Sequence, residues 1–314
     1  MFTVVIPLYN KEEYILETVE SVLAQDFKNF ELIIVNDGST DKSLERVKSI
    51  SDYRIKVINQ KNSGVGAARN KGMSNANYNW IALLDGDDIW GPNHLTELKK
   101  IIDSFPSSGL VSTQHLRFSH EKKLCSKSYI QRPEVRSINY FTEAAKTPGI
   151  ICSSAACIKK QVFNEIGGFS DKKLGEDLEY WVKIALDYPI AISEKVTSYY
   201  RQNTGGAMDS FGRRKVCDFK SIGDVNAPFS LIEQRAINDP SLIKDPNIIK
   251  YINALLVGDV RASLYYDDIS MAKQFAKLRI KDKSKAFMLL SLINATPKIC
   301  INKTLKIYKR LNNI

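Results

Sequence analysis

Four short apolar runs, each followed by a segment of helical spacing, constrain this chain more than any other feature. Thr3–Leu8, Phe30–Asn36, Ile55–Ile58 and Trp80–Leu84 are the runs. Between them lie Lys11–Gln25, with Ile15, Val19, Val22 and Leu23 on one face, a helix ending near Lys48, and Val65–Ser74. Continuous apolar strands are those covered on both faces. Strand–helix alternation with right-handed crossovers builds a parallel sheet. The expected fold is α/β, a mainly parallel central sheet flanked by helices. In such sheets ligands bind beyond the carboxyl ends of the strands. Those ends carry Pro7-Leu8-Tyr9-Asn10, Asn36-Asp37-Gly38, Asn62-Ser63-Gly64 and Asp85-Gly86-Asp87-Asp88.

The last of these is the most demanding. Three carboxylates in four residues repel one another and lose hydration in a crevice. A hard divalent cation, Mg²⁺ or Mn²⁺, resolves both problems and commonly bridges to phosphates; the bland alternative is an acidic turn capping the next helix. Asn62–Asn70 is Gly-rich and opens a helix, as phosphate sites do. A dinucleotide fingerprint would need glycine where Arg69 stands, so a nicotinamide site is not expected and a cation falls there instead. Asp37 can accept from a base or a ribose, or merely cap a helix. Tyr9 can stack on a base or pack in a turn. Glu176 and Asp177 begin a helix, either as a favourable dipole arrangement or as a general base at the mouth of the crevice.

Taken together, Val5–Asn10, Val35–Asp41, Asn62-Ser63-Gly64 with Ala68-Arg69-Asn70, Leu84–Asp88 and Glu176-Asp177 resemble the motifs, in order, of the family 2 glycosyltransferases. The resemblance covers about the first 200 residues. It implies the GT-A fold, which is Rossmann-like, and inverting transfer from a nucleotide-sugar, usually a UDP-sugar. It places Pro7, Tyr9 and Asp37 at the nucleoside. Gly64 and Arg69 fall at the nucleotide, and Asp85 and Asp87 form the DxD pair. Asp87 would be the direct metal ligand, Asp85 would hold ribose or metal-bound water, and Asp88 would be a reserve ligand. Asp177 would be the catalytic base, with Glu176 beside it. Where relatives often carry Tyr-Arg-x-His, this chain has Tyr200-Arg201-Gln202-Asn203. Asn203 is a poor metal ligand, and Arg201 is left as a diphosphate contact. A nucleotidyltransferase would also use carboxylates and a metal, but would carry a Gly-rich basic loop after the first strand. A relative that binds sugar-nucleotides without catalysis would have lost carboxylates that are present here.

Charge divides the chain again. Of 45 Lys+Arg and 35 Asp+Glu, 14 and 5 lie from Ser241 onward, so the body is near neutral and the end is basic. The expected division is a catalytic domain over 1–212 and a basic helical region over 213–314. Ile301, Thr304, Leu305, Ile307, Tyr308 and Leu311 share one side of a helical wheel, with Lys303, Lys306, Lys309 and Arg310 opposite. Lys273 to Lys285 form a basic cluster leading into Phe287–Leu290. Such patterns fit an interfacial segment on an anionic membrane; the alternative is packing on the catalytic domain. Nucleic acid is not an expected partner, because no aromatic platform is interleaved. No apolar run approaches the ~18 residues of a membrane span, and a secretory signal is not expected, because the chain opens on a strand-like segment with no basic n-region or cleavage site. The expected place is therefore the cytoplasm, peripheral on the inner face of the cell membrane. The partners would be a nucleotide-sugar donor and a saccharide or lipid-linked acceptor, in surface polysaccharide or lipopolysaccharide assembly. Five cysteines show no metal spacing and are expected to be reduced thiols.

Overall fold

The computed structural model describes residues 1–119, 134–172, 175–204, 226–265, 268–283, 285–297 and 301. The chain forms two compact units. One comprises Met1–Asn139 with Gly149–Asp209, the other Tyr140–Pro148 with Ser210–Ile314. A single division point cannot express the excursion of Tyr140–Pro148 into the helical unit.

In the first unit, chain order runs β1 (Phe2–Leu8), α1 (Ile15–Leu23), β2 (Phe30–Asp37), α2 (Ser43–Lys48), β3 (Ile55–Gln60), α3 (Val65–Ser74) and β4 (Trp80–Leu83). It continues with β5 (Ile89–Trp90), α4 (His94–Ser104), β6 (Leu110–Phe118) and β7 (Val135–Ile138). After α5 (Tyr140–Lys146), which belongs to the other unit, come β8 (Ala156–Lys159), α6 (Lys160–Ile166), α7 (Glu176–Asp187) and β9 (Ile190–Arg201). The nine strands of the described residues join one sheet in the order β3-β2-β1-β4-β8-β6-β9-β5, with β7 also on β9. β3, β2, β1 and β4 are mutually parallel, as the alternation requires. The other half is mixed, because β8 runs antiparallel to both β4 and β6.

Period-two alternation explains the layers. Phe2, Val4, Ile6 and Leu8 of β1, with Leu32 and Ile34 of β2, bury against Ile15, Val19 and Val22 of α1 and Leu95, Leu98 and Ile101 of α4. The opposite face of β2, Ile33 and Val35, meets Ala68 of α3. Pro7 is tolerated in this central strand because β4 stops short of it. The β1–β4 ladder ends at Val5 paired with Leu83, with one further bond from Leu84 N to Val5 O. The missing N–H therefore forfeits no partner. Helix α1 starts at Ile15 rather than Lys11; Glu12 to Tyr14 form the turn that leads into it, and Ile15 N donates to Lys11 O at 2.9 Å. Lys11 N donates to Ser43 Oγ and Glu12 N to Asp41 Oδ2.

Helix α3 lies close on β1. A Cβ on Gly72 would overlap Val5 Cγ1 and fall 3.2 Å from Cγ2. Gly72→Ala gains about 1 kcal/mol of helix propensity, but overpacking a rigid core typically loses 1–3 kcal/mol. Val5 is β-branched on a central strand and cannot retreat. A net fall in the urea midpoint at unchanged slope is the expected result.

The second unit holds α5 with α8 (Ala227–Asn238), α9 (Pro246–Tyr265), α10 (Ile269–Lys277) and α11 (Lys285–Ala295). Tyr140 and Phe141 of α5 meet Tyr251 of α9 edge-on, at ring distances of 5.8 and 5.6 Å. No helix of the described residues is long and apolar enough to cross a membrane. Cys152 and Cys157 are free thiols; Cys125, Cys217 and Cys300, and the amphipathic segment after Ile301, lie outside the described residues.

Candidate active site

The carboxyl ends of the four parallel strands face one edge, and their loops hold one another. Asn10, in a left-handed conformation (φ 51°), accepts Thr40 N at 2.8 Å through Oδ1. Asp37, only 3% exposed, accepts Gln60 Nε2 and Ser63 N at 2.8 Å and Gly64 N at 2.9 Å. It thereby shapes the loop that opens α3, and Gly64 takes the φ of +93° that the turn into the helix needs. Tyr9 is open to solvent at 46% exposure, whereas Pro7 is enclosed in β1.

Gly66 has a different use from a phosphate cradle. A Cβ there would lie 2.7 Å from Ser170 O, so its missing side chain admits the Phe169-Ser170 loop. Asn70 fixes the same loop with paired 2.8 Å bonds, Nδ2 to Phe169 O and Phe169 N to Oδ1. The Ala-Ala-Arg-Asn stretch is therefore a device that ties α3 to the segment preceding α7.

Arg69 is the centre of that device. It is buried, stacks 5.1 Å over Phe169, and donates from Nη2 to Asp85 Oδ1 at 2.7 Å and from Nη1 to Glu176 Oε1 at 3.1 Å. Burial would lower its pKa, but Asp85 and Glu176 outweigh burial and hold it above the ordinary arginine range. Glu176 and Asp177 start α7 after Gly175, whose φ of 72° turns the chain into the helix. Burial raises both carboxyl pKa values, and Arg69 only partly opposes it. Asp177 accepts Leu178 N at 2.7 Å. Residues from the end of β4 and the start of α7 thus converge on one guanidinium.

The acidic turn is split among separate partners. Asp87 Oδ2 pairs with Lys11 Nζ and accepts Thr204 Oγ1, both at 2.6 Å. Asp88 is fully buried; its oxygens accept Ser154 Oγ at 2.5 Å and Arg201 N at 2.8 Å. Burial, with Asp85 and Asp87 nearby, pushes its pKa well up. Ser154 also accepts Asp85 N at 3.1 Å, so one hydroxyl ties both ends of the turn. Arg201 is sandwiched between Phe118 and Tyr14, donating to Asp87 O at 2.8 Å and Glu17 Oε2 at 2.6 Å. These contacts rivet the turn to β9.

Among the described residues no three His, Cys, Asp or Glu side chains form a ready-made cation cage. The donor set still suits a hard cation. Asp85, Asp87, Glu176 and Asp177 crowd around Arg69 and Lys11, and Asp85 and Asp87 retain 25% and 13% side-chain exposure. Mg²⁺ is commonly held by one or two carboxylates plus substrate phosphates. Asp88, with both oxygens engaged inside the fold, supports the turn. Lys11, Ser154 and Thr204 escaped sequence reasoning: Lys11 and Thr204 directly follow the Pro7–Asn10 and Tyr200–Asn203 segments, but only the fold brings them to the turn, and Ser154 lies in a stretch without a motif.

Residues 3–167 match the model of Glycosyl transferase family 2. Glycosyltransferase GlyA of Streptococcus pneumoniae is 32% identical over 204 residues, 62% of this chain and 28% of GlyA. Glycosyltransferase GlyG of the same organism is 24% identical over 288 residues, 88% of this chain and 92% of GlyG. The chain spans about a third or less of the length of GlyA and of two Rickettsia glycosyltransferases that it also resembles. The crystal structure of S. aureus TarS 1–349 in complex with UDP-GlcNAc superposes with a TM-score of 0.60 at 21% identity, covering 99% of this chain and 92% of that one. That likeness establishes the shared fold. The family match spans more than half of the residues, and the chain belongs to glycosyl transferase family 2.

Proposed function

We propose that the chain transfers a sugar from a nucleotide-sugar, of UDP type, to a hydroxyl of a saccharide or lipid-linked acceptor, inverting the anomeric centre. The observation that carries this reading is the Arg69 junction, which holds Asp85 from the strand end and Glu176 from the α7 start on one group. TarS, whose structure holds UDP-GlcNAc, lends the donor class support through the fold. The setting is assembly of a bacterial cell-surface polysaccharide, at the inner face of the cell membrane.

In the transfer, the acceptor oxygen attacks the anomeric carbon and its proton passes to Asp177. The bond from that carbon to the phosphate oxygen breaks, and UDP leaves with the electron pair. Arg69 keeps the acidic walls in register, and Tyr9 offers an exposed ring to the base. Asp87 and Asp85 would hold a divalent cation, which when bound supplies positive charge to the diphosphate. Excess EDTA is expected to abolish transfer, and Mn²⁺ or Mg²⁺ to restore it. Full turnover in EDTA would remove the cation from this account. The donor itself is found by thermal shift with nucleotide-sugars and Mn²⁺, because a ligand that binds the native state raises the midpoint by mass action. No shift with any nucleotide-sugar would overturn the donor assignment.

A further inference from the structure

Helix α11 is apolar on the side that faces away from its unit. Its sequence, Lys-Ala-Phe-Met-Leu-Leu-Ser-Leu-Ile-Asn-Ala, has no acidic residue. Leu290 is completely buried. Lys285, Met288, Leu292 and Ala295 are exposed, Met288 by 58% and Leu292 by 64%. Steps of three, four and three place these four on one stripe of a helix. A helix apolar on both sides normally has both sides covered.

The segment leading into α11 supplies the second observation. Lys277, Lys281, Lys283 and Lys285 are all exposed, and Asp282 is the one acidic residue among them. Two other cations fasten this stretch to the helix. Arg279 Nε donates to Ser291 Oγ at 2.8 Å, and Lys273 Nζ to Asn294 O at 3.3 Å. The lysines are thereby held beside the N-terminal end of the apolar stripe.

We infer that this stripe and its lysines form a docking face for an anionic phospholipid bilayer, on which α11 lies in the plane of the interface. Eleven residues of helix span roughly 16 Å, about half of a hydrocarbon core, so the helix cannot cross. Apolar side chains in the acyl boundary with lysines among the headgroups is the arrangement interfacial helices use. A second copy of the chain is the poorer occupant. It carries the same excess of lysines and brings no anion to them, whereas an anionic leaflet neutralises them. The inference rests on the lipid-linked acceptor reading for its purpose, and names the residues that would deliver the enzyme there.

The test is sedimentation of the full chain with phosphatidylglycerol/phosphatidylcholine vesicles and with pure phosphatidylcholine vesicles. The expected result is binding to the anionic vesicles only, weakened by raised salt. Met288→Asp with Leu292→Asp should lower the partition coefficient at least tenfold, and so should Lys281, Lys283 and Lys285 changed to Gln. The donor-induced thermal shift, unchanged in both variants, shows that they fold. Wild-type vesicle binding equalled by the Met288/Leu292 variant overturns the inference, as does no binding by the wild type. So does dimerisation through this face, seen by light scattering and abolished in that variant, without vesicle binding. Vesicle binding without any donor shift would sink the transferase reading and leave this one standing.

Discussion

Asp177→Asn is expected to lower kcat at least ~100-fold while binding of the donor persists, the usual contribution of general-base catalysis. The choice between the two neighbouring acids follows from where each is engaged. Successive residues of a helix start point in directions about 100° apart. Glu176 turns inward, 8% exposed, and spends Oε1 on Arg69. Asp177 accepts the backbone Leu178 N at 2.7 Å, and among the described residues it forms no ion pair. Glu176→Gln should therefore disturb the junction, and Asp177→Asn should remove the proton acceptor without moving it. The base must be ionised to act. Burial raises the Asp177 pKa above 3.8, against Arg69, so kcat/KM should be lost as pH falls through a value above the ordinary aspartate range. Glu176 is raised as well, and coupled acids titrate as a pair, so the limb belongs to both. It should flatten in the Asp177→Asn variant. Unchanged turnover in that variant would take Asp177 out of the base role.

The first four strands were legible because their evidence is local. Continuous apolar runs, helical spacing and turn residues lie within windows of ten or so residues, and α3 over Val65–Ser74 coincides with its expected span. The acidic turn was legible for the same reason. Its support was not. Thr204 and Arg201 reach the turn from the end of β9, Lys11 from the loop after β1, and Ser154 from a 3-10 turn before β8. No spacing rule joins residues 11, 87 and 204. Arg201 shows how much of a residue's role lies in surroundings that the sequence does not display. As a sequence it is a cation beside a phosphate site; folded, its described contacts are Glu17, a backbone oxygen and two aromatic faces. Gly66 makes the same point, because a glycine freed for a phosphate and one freed for a neighbouring loop are spelled alike.

Arg69→Ala is expected to lower stability by about 3–5 kcal/mol, the range for removing one member of a buried ion pair. The loss has two parts. Asp85 and Glu176 are left without their donor, and Asp177 loses the charge that opposes its burial. The sign of the pH effect separates these from a simple cavity. Without Arg69 the carboxyl pKa values rise further, so the native state binds more protons than the unfolded chain above about pH 4. Stability then falls as pH rises through that window. The variant's deficit should accordingly be larger at pH 7.5 than at pH 5, measured by urea unfolding. A cavity would lose the same amount at both. Glu176→Gln in the Arg69→Ala background should recover part of the deficit, because it removes an unpaired charge. Contacting residues of this kind are expected to be non-additive. Arg69→Lys keeps the charge but cannot reach Asp85 and Glu176 with a planar fork, so it should restore stability only partly. A deficit independent of pH, with no recovery in the double variant, would mean that Arg69 fills space at this junction without holding its acids together.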